Sequence, residues 1–234
     1  MISPGNAQPK SILSSIRGYR IDILCSRMPL NKRPLIIGVT GSLSTGKTTV
    51  SRMLKELGAY VINADKIVHG LIGRKARAKI GGFVFDDKKS LDKLCGLIHP
   101  IVKKEILRKI KENKTKRLIV IDAPLLIESG FHKKCDYLIV VKSGLKKQLK
   151  RSENGLGLSR AESLKRIKLQ MPLKEKTRLA DFIIDNNGSL QQTRKQVEEV
   201  FKDIAAGGKG ILPHVPGLTS GISKLPRRIS IWKK

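Results

Sequence analysis

Eight residues constrain this chain more than any other feature: Gly41-Ser42-Leu43-Ser44-Thr45-Gly46-Lys47-Thr48. They satisfy G-x-x-x-x-G-K-[ST] and stand between an apolar run, Leu35–Thr40, and a stretch carrying Val50, Met53, Leu54 and Leu57 at helical spacing. A loop that wraps a phosphate with backbone N–H groups needs glycines, because only they let the chain come so close. The helix that opens at the loop aims its free N–H groups and positive dipole end at the same anion. On this reading Gly41, Ser44, Thr45 and Gly46 line a nucleotide cradle and Lys47 reaches the β- and γ-phosphates of ATP. The Thr48 hydroxyl ligates Mg²⁺, and Thr49 extends the hydroxyl run. The competing reading is a chance match in an ordinary turn, and the strand before it and helix after it decide against that.

The rest of the pattern fits a strand–loop–helix start. Further short apolar runs, Tyr60–Ile62, Leu118–Ile121, Tyr137–Val141 and Phe182–Ile184, are separated by lysine-rich helical stretches at 65–80 and 88–116. Two more helices are expected near 159–170 and 172–180, and a last one from about Ser189. Continuous apolar strands between helices predict an α/β fold of P-loop NTPase type, a five-stranded parallel sheet flanked by helices. Residues 35–206 form that domain, with a small helical insert at about 66–116 and a basic helical lid at about 146–180. Residues 1–34 read as an extension and 207–234, rich in Gly, Pro and Lys/Arg, as a flexible basic tail. A targeting peptide is the rival reading of the extension, and an overlong start with Met28 as the working initiator is another.

The formal charge of +29 attracts anions. It is spread along the chain, +5 in residues 1–34, +6 in 207–234 and +18 between them. That distribution suits a phosphate-rich ligand better than a nucleic-acid-binding arm. No run of apolar residues is long enough to span a membrane. Cys25, Cys95 and Cys135 stand far apart, without a CxxC pair, so a reduced, cytoplasmic setting is expected.

A phosphoryl transferase also needs a group that takes the acceptor's proton and groups that hold metal and developing charge. Asp65 follows the second strand, where strand ends face the ligand crevice, and is the candidate base; capping the next helix is its other reading. Asp122 ends the third strand and is the candidate partner of Mg²⁺ through water, or a cap of the turn at Pro124. Arg151 and Arg178 are the lid candidates, each with a solvated helix face as its alternative.

Here the residues resemble a known family. Val61-Ile62-Asn63-Ala64-Asp65-Lys66-Ile67, Ile98-His99-Pro100 and Asp122-Ala123-Pro124-Leu125-Leu126-Ile127-Glu128 are similar to motifs of the dephospho-coenzyme A kinases. So are Gln170-Met171-Pro172, Leu179-Ala180-Asp181 and Asp185-Asn186-Asn187-Gly188-Ser189, in order across residues 35–206. The resemblance implies phosphorylation of the ribose 3′-hydroxyl of dephospho-coenzyme A by Mg-ATP, the last step of coenzyme A synthesis. It implies Asp65 as catalytic Asp, Arg151 as first lid Arg and Asn187 in the segment bordering adenine. It further implies acceptor contacts from His99, Asp122 and Arg77. Three departures stand out: Asn63 replaces the first acid of D-A-D, Gly155 stands where a second lid Arg falls, and the chain is short between Gly70 and Gly81. A related kinase with another small hydroxyl acceptor, or a nucleotide-binding protein without kinase activity, are the other readings.

Overall fold

Strand β1 (Leu35–Gly41) lies at the centre of one parallel sheet with β2 (Tyr60–Asn63), β3 (Leu118–Asp122), β4 (Tyr137–Lys142) and β5 (Phe182–Asp185), in the order β2-β3-β1-β4-β5. The structure is a computed structural model that describes residues 33–72 and 88–206. Ile37 pairs with Val120 on one side and Tyr137 on the other, so β1 is hydrogen-bonded along both edges. Every residue of β3 is buried, as are six of the seven in β1. A strand covered on both faces has no solvent side, and this is why these runs are continuously apolar and not alternating.

The covering helices are α1 (Lys47–Glu56), α2 (Ala64–Ile72), α3 (Lys88–Glu112), α4 (Leu145–Leu156), α5 (Arg160–Leu169), α6 (Leu173–Arg178) and α7 (Leu190–Ala205), with a 3-10 turn at Phe131–Lys134. On one face Met53 and Leu54 of α1 and Val197, Phe201 and Ile204 of α7 pack over Ile37, Val39, Ile139 and Phe182. On the other, Ile67 of α2, Val102 and Ile106 of α3, Leu126 and Phe131 pack over Ile36, Ile121 and Leu138. With aromatics scarce, branched aliphatics supply most of this core.

Three helices, not two, join β4 to β5. Helix α4 falls within the helical lid expected at about 146–180 but was not set apart as an element: two of its three buried residues, Gln148 and Ser152 beside Leu149, are polar, so its apolar period is thin. It stops at Gly157, at φ 63. Helices α5 and α7 start on capping boxes, Ser159 with Glu162 and Ser189 with Gln192, which satisfy the first free N–H groups. Helix α3 runs through Pro100, which has no N–H to give the ladder, and ends at Glu112, earlier than the lysine-rich pattern suggested. The expected C-terminal tail and all but the last two residues of the expected extension lie outside the described residues, as does Arg77.

The order of strands positions the site. Because all five run parallel, their carboxyl ends share one edge of the sheet. From β1 the chain first builds β2 and β3 to one side, then crosses to build β4 and β5 on the other. Ligands of open α/β sheets bind at such a switch point.

Candidate active site

The loop leaving β1 is set by close approach. A Cβ on Gly41 would stand 2.4 Å from the Val141 carbonyl oxygen, and backbone of a central strand cannot give way. Ser44 (φ 52) and Gly46 (φ 98) take left-handed conformations, the device that turns successive N–H groups toward one concavity. Within the loop the Thr45 hydroxyl donates to the Ser42 carbonyl at 3.0 Å, and the Lys47 ammonium donates to the same oxygen at 2.8 Å. Burial pulls the Lys47 ammonium down to about 8, against the opposing pull of Asp122 and Asp65. Thr48 is exposed at the head of α1 and Thr49 half-buried beside it.

The adjacent strand ends bring up the acids. Helix α2 begins at Ala64, so Asp65 sits inside its first turn and is not its cap. The cap is Asn63, whose side-chain oxygen accepts from the Lys66 N–H at 2.8 Å. The other end of the same amide donates to the Asp122 carboxylate at 3.2 Å, across the β2–β3 pair in which residues 63 and 122 are partners. An Asp at 63 could cap the helix but could not donate to Asp122. The departure from D-A-D therefore replaces a like charge with a hydrogen bond. Asp65, relieved of capping, opens to the crevice. Desolvation by the protein on its remaining sides raises its pKa above 3.8, and Lys47 and His69 oppose the rise. Asp122 is buried and is also raised, chiefly by desolvation and then by Asp65, with Lys47 pulling it down. Lys47, Asp65 and Asp122 thus form one electrostatic group.

Beyond Asp65 lies a cavity of about 90 Å³ whose lining includes Val68, His99, Pro124 and Leu125. His99 is half-buried; burial and the charge of Lys103 hold its pKa below 6.5, so the imidazole is neutral at neutral pH.

From the other side of β1 comes Arg151 of α4. Its guanidinium donates to the Thr45 carbonyl (3.4 Å), the Ser143 hydroxyl (3.4 Å) and the Asn186 carbonyl (3.0 Å). Arg178 ends α6 and stays exposed, as a solvated face predicts. Asn187 is exposed next to the site; its side-chain oxygen accepts from the Gly144 N–H at 2.7 Å.

Two residues here escaped the sequence reading. Asn186 is buried, donates to the Thr45 carbonyl at 2.8 Å and accepts from the Thr193 hydroxyl at 2.9 Å. It clamps the phosphate loop from 141 residues away. Its sequence signals are its place in the Asp185–Ser189 motif, where Asn187 drew the assignment, and its position just past the end of an apolar strand. Lys176 is wholly buried, while Lys174 and Arg178 on the same short helix are exposed.

A phosphate cradle, a cationic side chain within it and two carboxylates on the neighbouring strand ends define a P-loop phosphotransferase of small acceptors. The comparisons narrow the class. The family model for dephospho-CoA kinase matches residues 35–78 and 68–192. The dephospho-CoA kinase of Carboxydothermus hydrogenoformans is 41% identical over 191 residues, covering 71% of this chain and 93% of that protein. This chain belongs to the dephospho-CoA kinase family. The solved dephospho-CoA kinase of Campylobacter jejuni has a TM-score of 0.54 at 27% identity, covering 74% of this chain and 98% of that one. A shikimate kinase of Acinetobacter baumannii, at 18% identity and TM-score 0.53, covering 75% of this chain and 96% of its own, shares the fold. Since 71% of 234 residues is about 166, about 25 of the 191 aligned positions have no counterpart in this chain. The two family-model matches overlap at 68–78, where the sequence is short.

Proposed function

We propose that this chain transfers the γ-phosphoryl group of ATP to the ribose 3′-hydroxyl of dephospho-CoA, giving CoA. One observation carries the reading. Asp65 lies on the same sheet edge as the phosphate loop, near enough to Lys47 for each to shift the other's pKa. The loop N–H groups and Lys47 hold the phosphates. Asp65 accepts the proton of the 3′-hydroxyl as its oxygen attacks phosphorus, and ADP leaves. Arg151 faces the charge that develops in transfer. The insert at about 66–116, with His99 and Arg77, takes the acceptor; the segment at Asn187 borders the base of ATP; the helices at about 146–180 form the lid.

The donor set also suits Mg²⁺, a hard cation held by one or two carboxylates together with substrate phosphates. Thr48 offers an exposed hydroxyl at the cradle and Asp122 a carboxylate on the next strand end. Bound there, the ion would offset charge on the β- and γ-phosphates. No described helix is long and apolar enough to cross a membrane.

ADP release measured with and without dephospho-CoA tests the assignment. Turnover that depends on the acceptor is expected; ATP consumption indifferent to it would overturn the reading.

The pH profile follows from the same two groups. The base form of Asp65 is gained as pH rises, with an acid limb above the ordinary carboxylate value of 3.8. The cationic form of Lys47 is lost as pH rises past about 8. The kcat/KM for ATP, which reports the free enzyme, should therefore fall above about 8. The kcat should hold to higher pH, because bound phosphate favours the ammonium. Initial rates from pH 5 to 10 check both limbs.

Gly155 gives a further expectation. It lies on α4 four residues after Arg151, on the same helix face, and a Cβ there meets open space. Gly155→Arg should fit, stiffen the helix by about 0.5–1 kcal/mol, and raise kcat a few-fold by supplying a second lid cation. Steady-state rates and thermal unfolding measure the two effects separately; a lower kcat in a better-folded variant would count against the lid role.

A further inference from the structure

A wholly buried ammonium needs a reason, and Lys176 has partners that suggest one. From α6 its Nζ donates to the Pro124 carbonyl at 2.7 Å and pairs with the Glu128 carboxylate at 2.8 Å. The same Glu128 oxygen accepts from the Met171 N–H at 3.1 Å. The Pro124 carbonyl also accepts from the Thr40 hydroxyl at 3.1 Å, one residue before the phosphate loop. A single side chain thus joins the end of β1, the turn that follows Asp122, and the segment between α5 and α6.

That turn is also a wall. Ala123, Pro124 and Leu125 line the same cavity as Asp65, Val68 and His99. The charges of both Lys176 and Glu128 are felt at Lys47, with opposite signs, so the pair stands close behind the phosphate site without being part of the cradle. An apolar side chain of similar volume would fill the space. It could not hold the carbonyl and the carboxylate together, as the ammonium does.

We propose that Lys176 is a positioning residue for the acceptor: through Pro124 and Glu128 it fixes part of the wall of the cavity that Asp65 also lines, and so the angle at which the acceptor hydroxyl meets the phosphates. The proposal rests on the kinase reading above and assigns the acceptor side of its site a support that contacts neither substrate.

The test uses the full chain as Lys176→Met and as Lys176→Met with Glu128→Leu, the second because a buried ion pair replaced by apolar partners commonly keeps its stability. ATP and dephospho-CoA are varied in turn, with thermal unfolding and ATP binding measured alongside. In both variants kcat/KM for dephospho-CoA should fall about 20-fold or more, as misplacement of a reacting group does. The KM for ATP should stay within about twofold, because the cradle is untouched. This split should persist in the double variant even when it unfolds at the wild-type temperature. A double variant that regains both its unfolding temperature and its acceptor kcat/KM would reduce the pair to a structural one and overturn the proposal. So would equal losses toward ATP and acceptor. A wild type inactive on dephospho-CoA would overturn the kinase reading and this proposal together; an active wild type with unaffected variants would overturn this proposal alone.

Discussion

Asp65→Asn is expected to lower turnover with dephospho-CoA by about a hundredfold or more, the usual contribution of a placed general base, while ATP still binds. The substitution keeps the shape of the side chain and removes its negative charge and, with it, its ability to take a proton. Helix α2 should not suffer, because Asn63 caps it. Asp122 should become easier to ionise, since Asp65 is one of the charges raising its pKa. The combination is diagnostic: folding and nucleotide affinity near those of the wild type, with kcat collapsed. ADP release and ATP titration calorimetry on the same preparation would show it. A variant that keeps most of its turnover would remove Asp65 from the reaction.

Gly46→Ala is expected to weaken ATP binding by about a hundredfold for a different reason. The new methyl would stand 2.0 Å from the Asn186 amide nitrogen, at a residue whose φ is 98. Holding an L-residue in the left-handed region costs about 1–2 kcal/mol. Asn186 must also move and release the Thr45 carbonyl, leaving buried polar groups unpaired at about 1–3 kcal/mol. Together these give about 2–5 kcal/mol against the competent loop, and each 1.4 kcal/mol is about tenfold in affinity. Far-UV circular dichroism should barely change, because the clash falls on the Asn186 side chain and not on the hydrogen bonds between strands. Gly46→Ala combined with Asn186→Gly should recover part of the stability lost to collision but little of the ATP affinity, since the clamp on Thr45 is then gone. Wild-type affinity in Gly46→Ala would show that neither the backbone conformation nor the Asn186 contact matters to the cradle.

The sequence disclosed those parts of the fold that rest on local pattern. Strands buried on both faces left uninterrupted apolar runs, and the phosphate loop announced itself because its glycines follow from steric need at Gly41 and Gly46. Asp65 was legible because a parallel sheet puts strand ends together. What escaped depends on distant partners. Asn186 matters through a bond to Thr45, which no periodicity reveals. Lys176 carries no pattern that sets it apart from the exposed Lys174 and Arg178 beside it. Asn63 read as a lost acid, yet its amide performs two tasks that a carboxylate could not perform together. Helix α4 was legible as part of a helical lid but not as an element of its own, because its inward face is mostly polar.

The tethering of Arg151 settles the entropy of this side chain in advance of any ligand. A guanidinium gripped by the oxygens of Thr45, Ser143 and Asn186 has surrendered its rotamer freedom in the folded chain. It has no long sweep from solvent to make, and a lysine, with one round charge and no fork, could not be moored in the same way. Its disorder was quenched when the protein folded, before any ligand arrives.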